Sequence, residues 1–390
     1  MLPLTLFNSI VEVGAIQGIV MGLVLYRLPV KDPSKKHLSL ILFTLALLNF
    51  KILLHTLGLW NSHLFHFFPL AIDTTLPPLL YLYICLITAQ EIACKKILLY
   101  FIPTLIFMAY AILVYVWIIP VTDIRHKDIL ANKFFFNQIK SLEDFVAVIS
   151  AVFYWLFGFK RIHNYRKWLF DTQSDSRLQE LTWLKNLLIM SAIMILGLIT
   201  VVLIEDIFTS GPHSFLTIEI FYTYLTLTIY YLSLKGYSLY SFSNPVNLIA
   251  DKIKLRQFSD ITADEYSDDL TLNTEDKAYL TIKESILYSM NVEKIYLNQE
   301  LNIKQMAQHV GYPVAMVSAV INKSLGVNFR NMVNQYRIKE FKERSINPPM
   351  HLSLFGIALE CGFNSEPSFF RIFKQETGLS PSDYIKNHKI

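Results

Sequence analysis

Ile357-Ala358-Leu359-Glu360-Cys361-Gly362-Phe363-Asn364 is followed by Ser368-Phe369-Phe370-Arg371-Ile372-Phe373-Lys374 and then by Gly378-Leu379-Ser380-Pro381. A short apolar helix, a glycine turn and a second helix with aromatic residues three to four positions apart indicate a helix-turn-helix unit. Gly362 is expected to make the turn and Asn364 to cap the next helix. Phe369 and Phe373 would fix that helix to its core. Gly378 and Pro381 are expected to end it and to start a closing helix.

A second half-motif lies upstream: Ile303-Lys304-Gln305-Met306-Ala307-Gln308-His309-Val310-Gly311-Tyr312, then Val317-Ser318-Ala319-Val320-Ile321-Asn322, then Gly326-Val327-Asn328-Phe329. Val333-Asn334-Gln335-Tyr336-Arg337-Ile338 follows as a joining helix. From about Tyr296 to Tyr384, the two half-motifs and their joining helix resemble the double helix-turn-helix domain of AraC/XylS-family bacterial transcription regulators. The resemblance implies that the partner is double-stranded promoter DNA, and it allows a homodimer.

The two helices expected to read DNA differ in their side chains. The first offers small neutral residues, and Ala319 stands where family members often carry a basic residue. The second offers Arg371, which is expected either to read a guanine or to clamp a phosphate, and Lys374, a phosphate ligand. Residues 301–390 carry 11 Lys and Arg against 6 Asp and Glu, a balance of +5 that permits contact with phosphates. The predicted DNA-binding residues are Ser318, Asn322, Lys323, Arg330, Glu366, Ser368, Phe370, Arg371 and Lys374.

Apolar residues at helical spacing in the same region predict its core. These are Met306, Ala307, Val317, Val320, Ile321, Ile357, Ala358, Phe363 and Phe373. The chain has three cysteines, Cys85, Cys94 and Cys361, which are far apart and form no CxxC pair. They predict buried apolar positions rather than a zinc site or a disulfide.

The first 235 residues have a different composition. Hydrophobic residues make up 53% of the chain and charged residues 17%, against about 45–50% and 25% in ordinary soluble domains. The mean hydropathy of the chain is +0.39. The apolar excess lies in stretches near the length of a membrane-spanning helix, about 20 residues. Seven spans are predicted, near Leu4–Tyr26, Leu38–Leu59, Phe65–Ile87, Ile97–Ile119, Leu142–Phe159, Leu187–Ile207 and Phe215–Leu234. The paired prolines Pro77 and Pro78, and Pro103, would kink the third and fourth.

Basic residues in the loops predict the orientation. Loops one, three and five carry 12 Lys and Arg, and loops two, four and six carry Arg125, Lys127, Lys133 and Lys140. Because basic loops stay in the cytoplasm, the N-terminus should face out and the C-terminus in. An odd number of spans then delivers the C-terminal region to the cytosol, and the location predicted is the bacterial inner membrane, in contact with its lipid.

Ionisable residues in the predicted spans have two interpretations. They could line a polar pocket, open to the outside, that binds an unknown small-molecule or membrane signal, with Lys51 near Asp73 as its floor. They could instead form structural pairs or reach the interface from helix ends. The candidate signal-binding residues are Lys51, His55, Asp73, Glu205 and Glu219. His63 and His66 stand three apart with no nearby carboxylate pattern, so no metal is expected.

The sequence therefore predicts an all-α protein: a seven-helix transmembrane bundle (1–234), a cytoplasmic linker (235–273) and a double helix-turn-helix domain (274–390). The helical pattern that starts at Thr274 fits either a signalling or dimerising helix, or an extra helix packed on the DNA-binding domain. No catalytic or cofactor-binding motif is recognised, so no enzyme activity is predicted. The favoured function is a membrane-bound one-component transcription regulator; the alternative is a transporter or membrane enzyme with a regulatory DNA-binding domain.

Overall fold

The structure is a computed structural model that describes residues 4–29, 32–88, 94–174, 181–208, 215–241, 275–346 and 353–388. Over these ranges the fold is all-α, as predicted; the described residues form no strand, and Gln173 and Asn302 make an isolated antiparallel bridge. The chain divides into two compact units. The first unit comprises Met1–Ile162 and Thr182–Ala263, and the second comprises His163–Leu181 and Asp264–Ile390.

The first unit contains the helices of the N-terminal part of the chain, several of which are long and apolar. They are α1 (Leu4–Arg27), α2 (Pro33–Thr56), α3 (Leu76–Ile87), α4 (Cys94–Tyr100), α5 (Ile102–Ile118), α6 (Ile124–Lys133), α7 (Phe136–Thr172), α8 (Thr182–Phe208) and α9 (Phe215–Ser241). Five of them, α1, α2, α7, α8 and α9, are long and apolar enough to cross a membrane by length and composition. Helices α3 and α5 are apolar but shorter, with 12 and 17 residues.

Two predicted spans differ from the structure. The third was wrong over 65–75, which forms turns before α3 starts at Leu76. Pro77 and Pro78 lie in the first turn of α3, where their missing N–H groups cost nothing, so they begin a helix instead of kinking one. The fourth is divided into α4 and α5, and Pro103 likewise falls in the first turn of α5.

Small residues bring helices of the first unit together. A Cβ on Gly14 in α1 would lie 2.6 Å from Cγ2 of Thr226 in α9, so only glycine permits this approach. Beside it, the side-chain amide of Asn49 donates to the Thr226 hydroxyl at 3.0 Å. Close packing of this kind suits helices in lipid, where apolar burial between helices contributes little.

The predicted linker is partly helical. Helix α9 continues to Ser241, beyond the predicted boundary at 234, so that 235–241 extends the last apolar helix. Residues 242–273 lie outside the described residues. Helix α7 also runs on, from the predicted end at Phe159 to Thr172, and its last ten residues belong to the second unit.

The second unit contains the predicted helix-turn-helix pairs. Its helices are α10 (Glu275–Asn291), α11 (Ile303–Val310), α12 (Val314–Ala319), α13 (Phe329–Ile346), α14 (Leu354–Glu360), α15 (Glu366–Thr377) and α16 (Pro381–His388). Pro381 begins α16 as predicted. Helix α11 starts with a capping box, in which the side chains of Asn302 and Gln305 each accept from the other's backbone N–H at 3.1 Å.

Two hydrophobic cores hold this unit together, and α13 contributes to both. Phe329, Met332 and Val333 belong to the first core, and Ile338 and Phe341 to the second. Every residue predicted as core is buried, at 0–3% exposure. Phe369 lies between Phe341, Phe363 and Phe373 with ring centroids 4.7, 5.1 and 5.8 Å away. Truncating such an aromatic residue to alanine typically costs about 3–5 kcal/mol.

Helix α10 is part of this domain. Ile282, Ile286 and Met290 are fully buried in the first core, together with residues of α11, α12 and α13. Of the two interpretations that the sequence left open, the structure shows the packed helix. Its apolar side faces the domain core.

Candidate functional site

The second reading helix, α15, presents a charged outer face. Glu366, Arg371 and Lys374 are exposed, whereas Phe369, Ile372 and Phe373 anchor the opposite face. Ser368 and Phe370 are half-buried, and Phe370 packs against the second core, so its role is at least partly structural. This face can offer donors to base edges and phosphates.

The turn that positions α15 requires glycine. Gly362 has a φ of +94°, and a Cβ there would lie 2.4 Å from the carbonyl oxygen of Tyr296. The expected cap at Asn364 was wrong: Ser365 is the N-cap residue and makes no side-chain capping bond. Gly378 ends the helix at a φ of +78°, as predicted.

The first reading helix is short. Helix α12 begins after Pro313, which provides no side-chain cap, and continues into a wider turn over Val320–Ser324, where the Leu325 N–H donates to the Val320 oxygen at 3.1 Å. Ser318 is 8% exposed, which leaves it little surface for DNA. Asn322 and Lys323 are exposed in the wider turn. Asn322 donates to the Ser318 hydroxyl at 3.4 Å.

Arg330 lies in a different environment from the one predicted. It is 1% exposed, and its guanidinium carbon lies 5.5 Å from the centre of the Phe170 ring at the end of α7. A phosphate ligand has to reach the surface, whereas Arg330 is enclosed in this arrangement. The sequence could not show this, because Phe170 is 160 residues away along the chain.

Arg337 on α13 is fully buried and bonds to several segments of the second unit. Its guanidinium donates to the carbonyl oxygens of Tyr296 at 2.8 Å and Asn298 at 2.7 Å, and to the carbonyl and hydroxyl of Ser174, both at 3.2 Å. Ser174 also bonds Leu301 through its N–H, at 3.3 Å, and its hydroxyl. Sequence reasoning missed this residue, since an arginine within a polar helix carries no signal of burial.

Glu340, one turn further along α13, collects three donors. Lys294, the Tyr296 hydroxyl and Arg344 each donate to its carboxylate at 2.8 Å. Burial acts to raise the pKa of Glu340, but the bonds from Lys294, Arg344 and Tyr296 outweigh it and lower the pKa to about 2. This network joins the segment before the first helix-turn-helix to the joining helix. Cys361 nearby is fully buried and unbridged, and burial raises its pKa to about 12.

The candidate signal-binding residues in the first unit are only partly brought together. Lys51 forms an ion pair with Asp73, as expected, and Asp73 also accepts from Lys140 at 2.7 Å. His55 stacks on Trp60 with ring centroids 4.3 Å apart, and both line the same cavity as Lys51. Glu219 is buried on α9 and does not line that cavity. The side chain of Glu205 lies outside the described part of the structure.

His66, one of the two histidines that stand three apart, is held by two protein groups. His66 shares a hydrogen bond with the Trp60 carbonyl oxygen at 2.7 Å and another with the Asp128 carboxylate at 2.9 Å. Both of its ring nitrogens are therefore engaged with protein groups. Among the residues that the structure describes, no cluster of three or more metal-ligating side chains occurs.

A double helix-turn-helix is the class of domain that this fold defines. Residues 297–387 match the family model described as Helix-turn-helix domain, and the segment is a domain of the AraC type. A Staphylococcus aureus protein named an uncharacterized HTH-type transcriptional regulator is 30% identical over 92 residues, which cover 23% of this chain and 12% of that protein. The similarly named YtdP of Bacillus subtilis is 21% identical over 188 residues, 47% of this chain and 24% of YtdP.

The chain thus spans about an eighth to a quarter of the length of these relatives. No solved structure matches. The comparisons support transcription regulation for the C-terminal region.

Proposed function

We propose that this protein is a membrane-bound one-component transcription regulator that couples a signal at its first unit to promoter binding by its second. The main support is the exposed Arg371 and Lys374 on α15, held by a core of the AraC type. Five long apolar helices in the same chain support membrane anchoring. Regulation without catalysis accords with the family match. The topology proposed has the N-terminus outside and the C-terminus in the cytosol of the bacterial cell.

The end of α7 is the element proposed to carry the signal. Helix α7 contributes to both units. Phe170 in its last turn contacts Arg330 of α13, and Ser174, two residues after its end, contacts Arg337 of α13. Gln173 pairs with Asn302, the residue that caps α11. A shift of α7 would therefore act on the joining helix and on the first helix-turn-helix together. The alternative, a transporter or membrane enzyme with a regulatory DNA-binding domain, has no comparable observation in its favour.

The test uses the full chain in lipid nanodiscs with fragments from across the promoters of its own genome. We expect binding to a subset of duplex fragments, with an affinity that falls steeply with salt because phosphate contacts release counterions. Lys374→Gln should weaken binding to all fragments and reduce the salt slope by about one. Lys339→Gln, the same charge change at an exposed site on α13, is the control and should leave both unchanged. Binding indifferent to salt, or none to any promoter fragment, contradicts the proposal.

A further inference from the structure

A cavity of about 470 Å³ lies within the first unit. Its volume is in the range of small-molecule sites, about 300–1,000 Å³. Helices α2, α5, α6 and α7 and the segment before α3 contribute to its lining. Much of the wall is aromatic, with Trp60, Phe67, Phe107, Tyr110 and Phe136. An aromatic wall suits an apolar ligand body, and it also attracts a cation to the ring faces.

Two ammonium groups, Lys51 and Lys140, and two carboxylates, Asp128 and Glu143, line the cavity. Lys140 pairs with Asp73 at 2.7 Å and with Glu143 and Asp144 at 2.9 Å, and Lys51 also pairs with Asp73. Asp128 lines the cavity from α6 and bonds His66. Three carboxylates thus pair with the two ammonium groups, while Asp128 bonds His66. Of these acids only Glu143 and Asp128 line the cavity, so its charged lining is formally neutral with neutral histidines. Because both lysines are already paired within the protein, a carboxylate rather than an ammonium group is left to attract a ligand.

One carboxylate oxygen of Glu143, a residue that lines this cavity, accepts no hydrogen bond. The residue lines the cavity and is 3% exposed. Its Oε2 accepts from Lys140 at 2.9 Å, whereas its buried Oε1 has no hydrogen-bond partner among the described residues. A buried carboxylate oxygen without a donor is costly, since it has lost its water and gained nothing in exchange. A ligand that donates an N–H to Oε1 would remove that cost.

We propose that this cavity binds an organic ammonium ion with an aromatic or alkyl body. The ammonium donates to Glu143 Oε1, and the apolar body lies among the aromatic side chains. The stacked rings of His55 and Trp60 form part of the same cavity wall. This assignment rests on the proposed function, because it supplies the chemical class of the signal. A soluble amine and the ethanolamine headgroup of a lipid share this chemistry.

The test measures binding by calorimetry to the full chain in nanodiscs made of phosphatidylglycerol alone. The probes are phenethylamine and two molecules of similar size, phenylpropionate and phenethyl alcohol. We expect the amine to bind at least about tenfold more tightly than the acid, because its ammonium donates a hydrogen bond to the charged Glu143, which repels the carboxylate of the acid. The alcohol should fall between them. Equal binding of all three, or tighter binding of the acid, overturns the proposal without needing any variant.

Two substitutions of equal charge then locate the site. Glu143→Gln should weaken amine binding about tenfold or more, whereas Asp144→Asn, which removes an exposed partner of the same Lys140, should change it less than about twofold. Equal losses in both variants would show a general field effect and overturn the assignment to Glu143. Unchanged binding in Glu143→Gln would overturn it as well.

A second set of nanodiscs identifies the source of the ligand. If phosphatidylethanolamine in the bilayer displaces phenethylamine, the lipid headgroup occupies the site; if it does not, the ligand is a soluble amine. Promoter binding is measured separately on the same samples. DNA binding without amine binding contradicts only the inference about the cavity, whereas amine binding without DNA binding contradicts the proposed function.

Discussion

The two units bury their apolar side chains differently. In the first unit, large hydrophobic residues on α7 such as Val148, Phe153 and Leu156 are about half exposed, at 56%, 52% and 55%. In the described part of 275–388, five large hydrophobic residues are exposed, three of them on or just after α10: Leu280, Tyr288, Val292, Ile346 and Leu359. Continuous apolar surface is rare on soluble proteins and is expected where the surroundings are lipid. The exposed apolar surface of α7 is therefore what the proposed membrane anchoring requires, and the second unit shows no comparable surface among its described residues.

The comparison extends to polar groups. The second unit buries Arg337 and Glu340 with matched partners at 2.7–3.2 Å. The first unit buries Glu143 with one oxygen unmatched. Buried polar groups normally have partners. The bonds of Arg337 and Glu340 therefore stabilise the second unit, whereas the unmatched oxygen of Glu143 is the acceptor that the proposed ligand would satisfy.

The largest effect is expected from an arginine placed on the apolar surface of the first unit. Phe153→Arg on α7 should impair membrane insertion by about 2.5–3.5 kcal/mol, the cost of arginine at the centre of a span. Tyr288→Arg, at a similarly exposed residue of α10, should cost no more than about 0.5 kcal/mol. The fraction of each variant that is integrated into membranes measures the difference. Equal integration of both variants would mean that the two surfaces meet the same solvent.

The next effect concerns DNA reading by α15. If Arg371 reads a guanine, Arg371→Ala should cost about 1–3 kcal/mol and relax the preference at one base pair. If it clamps a phosphate, all sequences should weaken alike and the salt slope should fall by about one. Binding to a randomised site distinguishes the two roles. If Arg371→Ala weakens binding to none of the sequences, the exposed face of α15 does not contact DNA.

A smaller effect is expected where α7 meets α13. Ser174→Val removes the hydroxyl that bonds Arg337 and Leu301, a loss of about 1–2 kcal/mol. The promoter affinity of the full chain should shift toward that of a 275–390 fragment, which lacks Ser174. Ser141→Val, elsewhere on α7, removes a hydroxyl bonded only within its own helix and serves as the control. If the two variants bind promoter DNA alike, the contact does not couple α7 to the reading domain.

The smallest effect is electrostatic. Lys294 and Arg344 are 44% and 35% exposed, so each pair with Glu340 is screened and worth at most about 1 kcal/mol. Because the folded pKa of Glu340 is lowered to about 2, its contribution is present above the unfolded value near 4.3 and is lost as the pH falls toward 2. Glu340→Gln should thus destabilise the 275–390 fragment at neutral pH but not near pH 2. Denaturation followed by circular dichroism measures this; an equal loss at both pH values would contradict it.

Much of the second unit could be predicted because its signals are local. Residues such as Met306, Val317 and Phe373 follow a helical period, and Gly378 occupies a position where a left-handed backbone favours glycine. The burial of Arg330 and Ser318 could not be predicted, because it depends on contacts that spacing does not encode. Pro77 and Pro78 were predicted to kink a helix. Within a long apolar stretch, the sequence does not distinguish a proline pair that begins a helix from one that lies inside it. The pairing of Lys51 with Asp73 could be anticipated from the cost of isolated charges in lipid; the partner Lys140 could not.

The most direct test of the central claim maps the DNA bound by the native protein in its own cells, after crosslinking and recovery of the membrane fraction. We expect enrichment of a small number of promoters in that fraction, and loss of the enrichment in a chain that carries Arg371→Ala together with Lys374→Gln. Both residues are exposed on α15, so the double variant should keep its fold and its place in the membrane. Promoter enrichment that survives the double variant, or no enriched promoter in the membrane fraction of the native cells, would contradict the account.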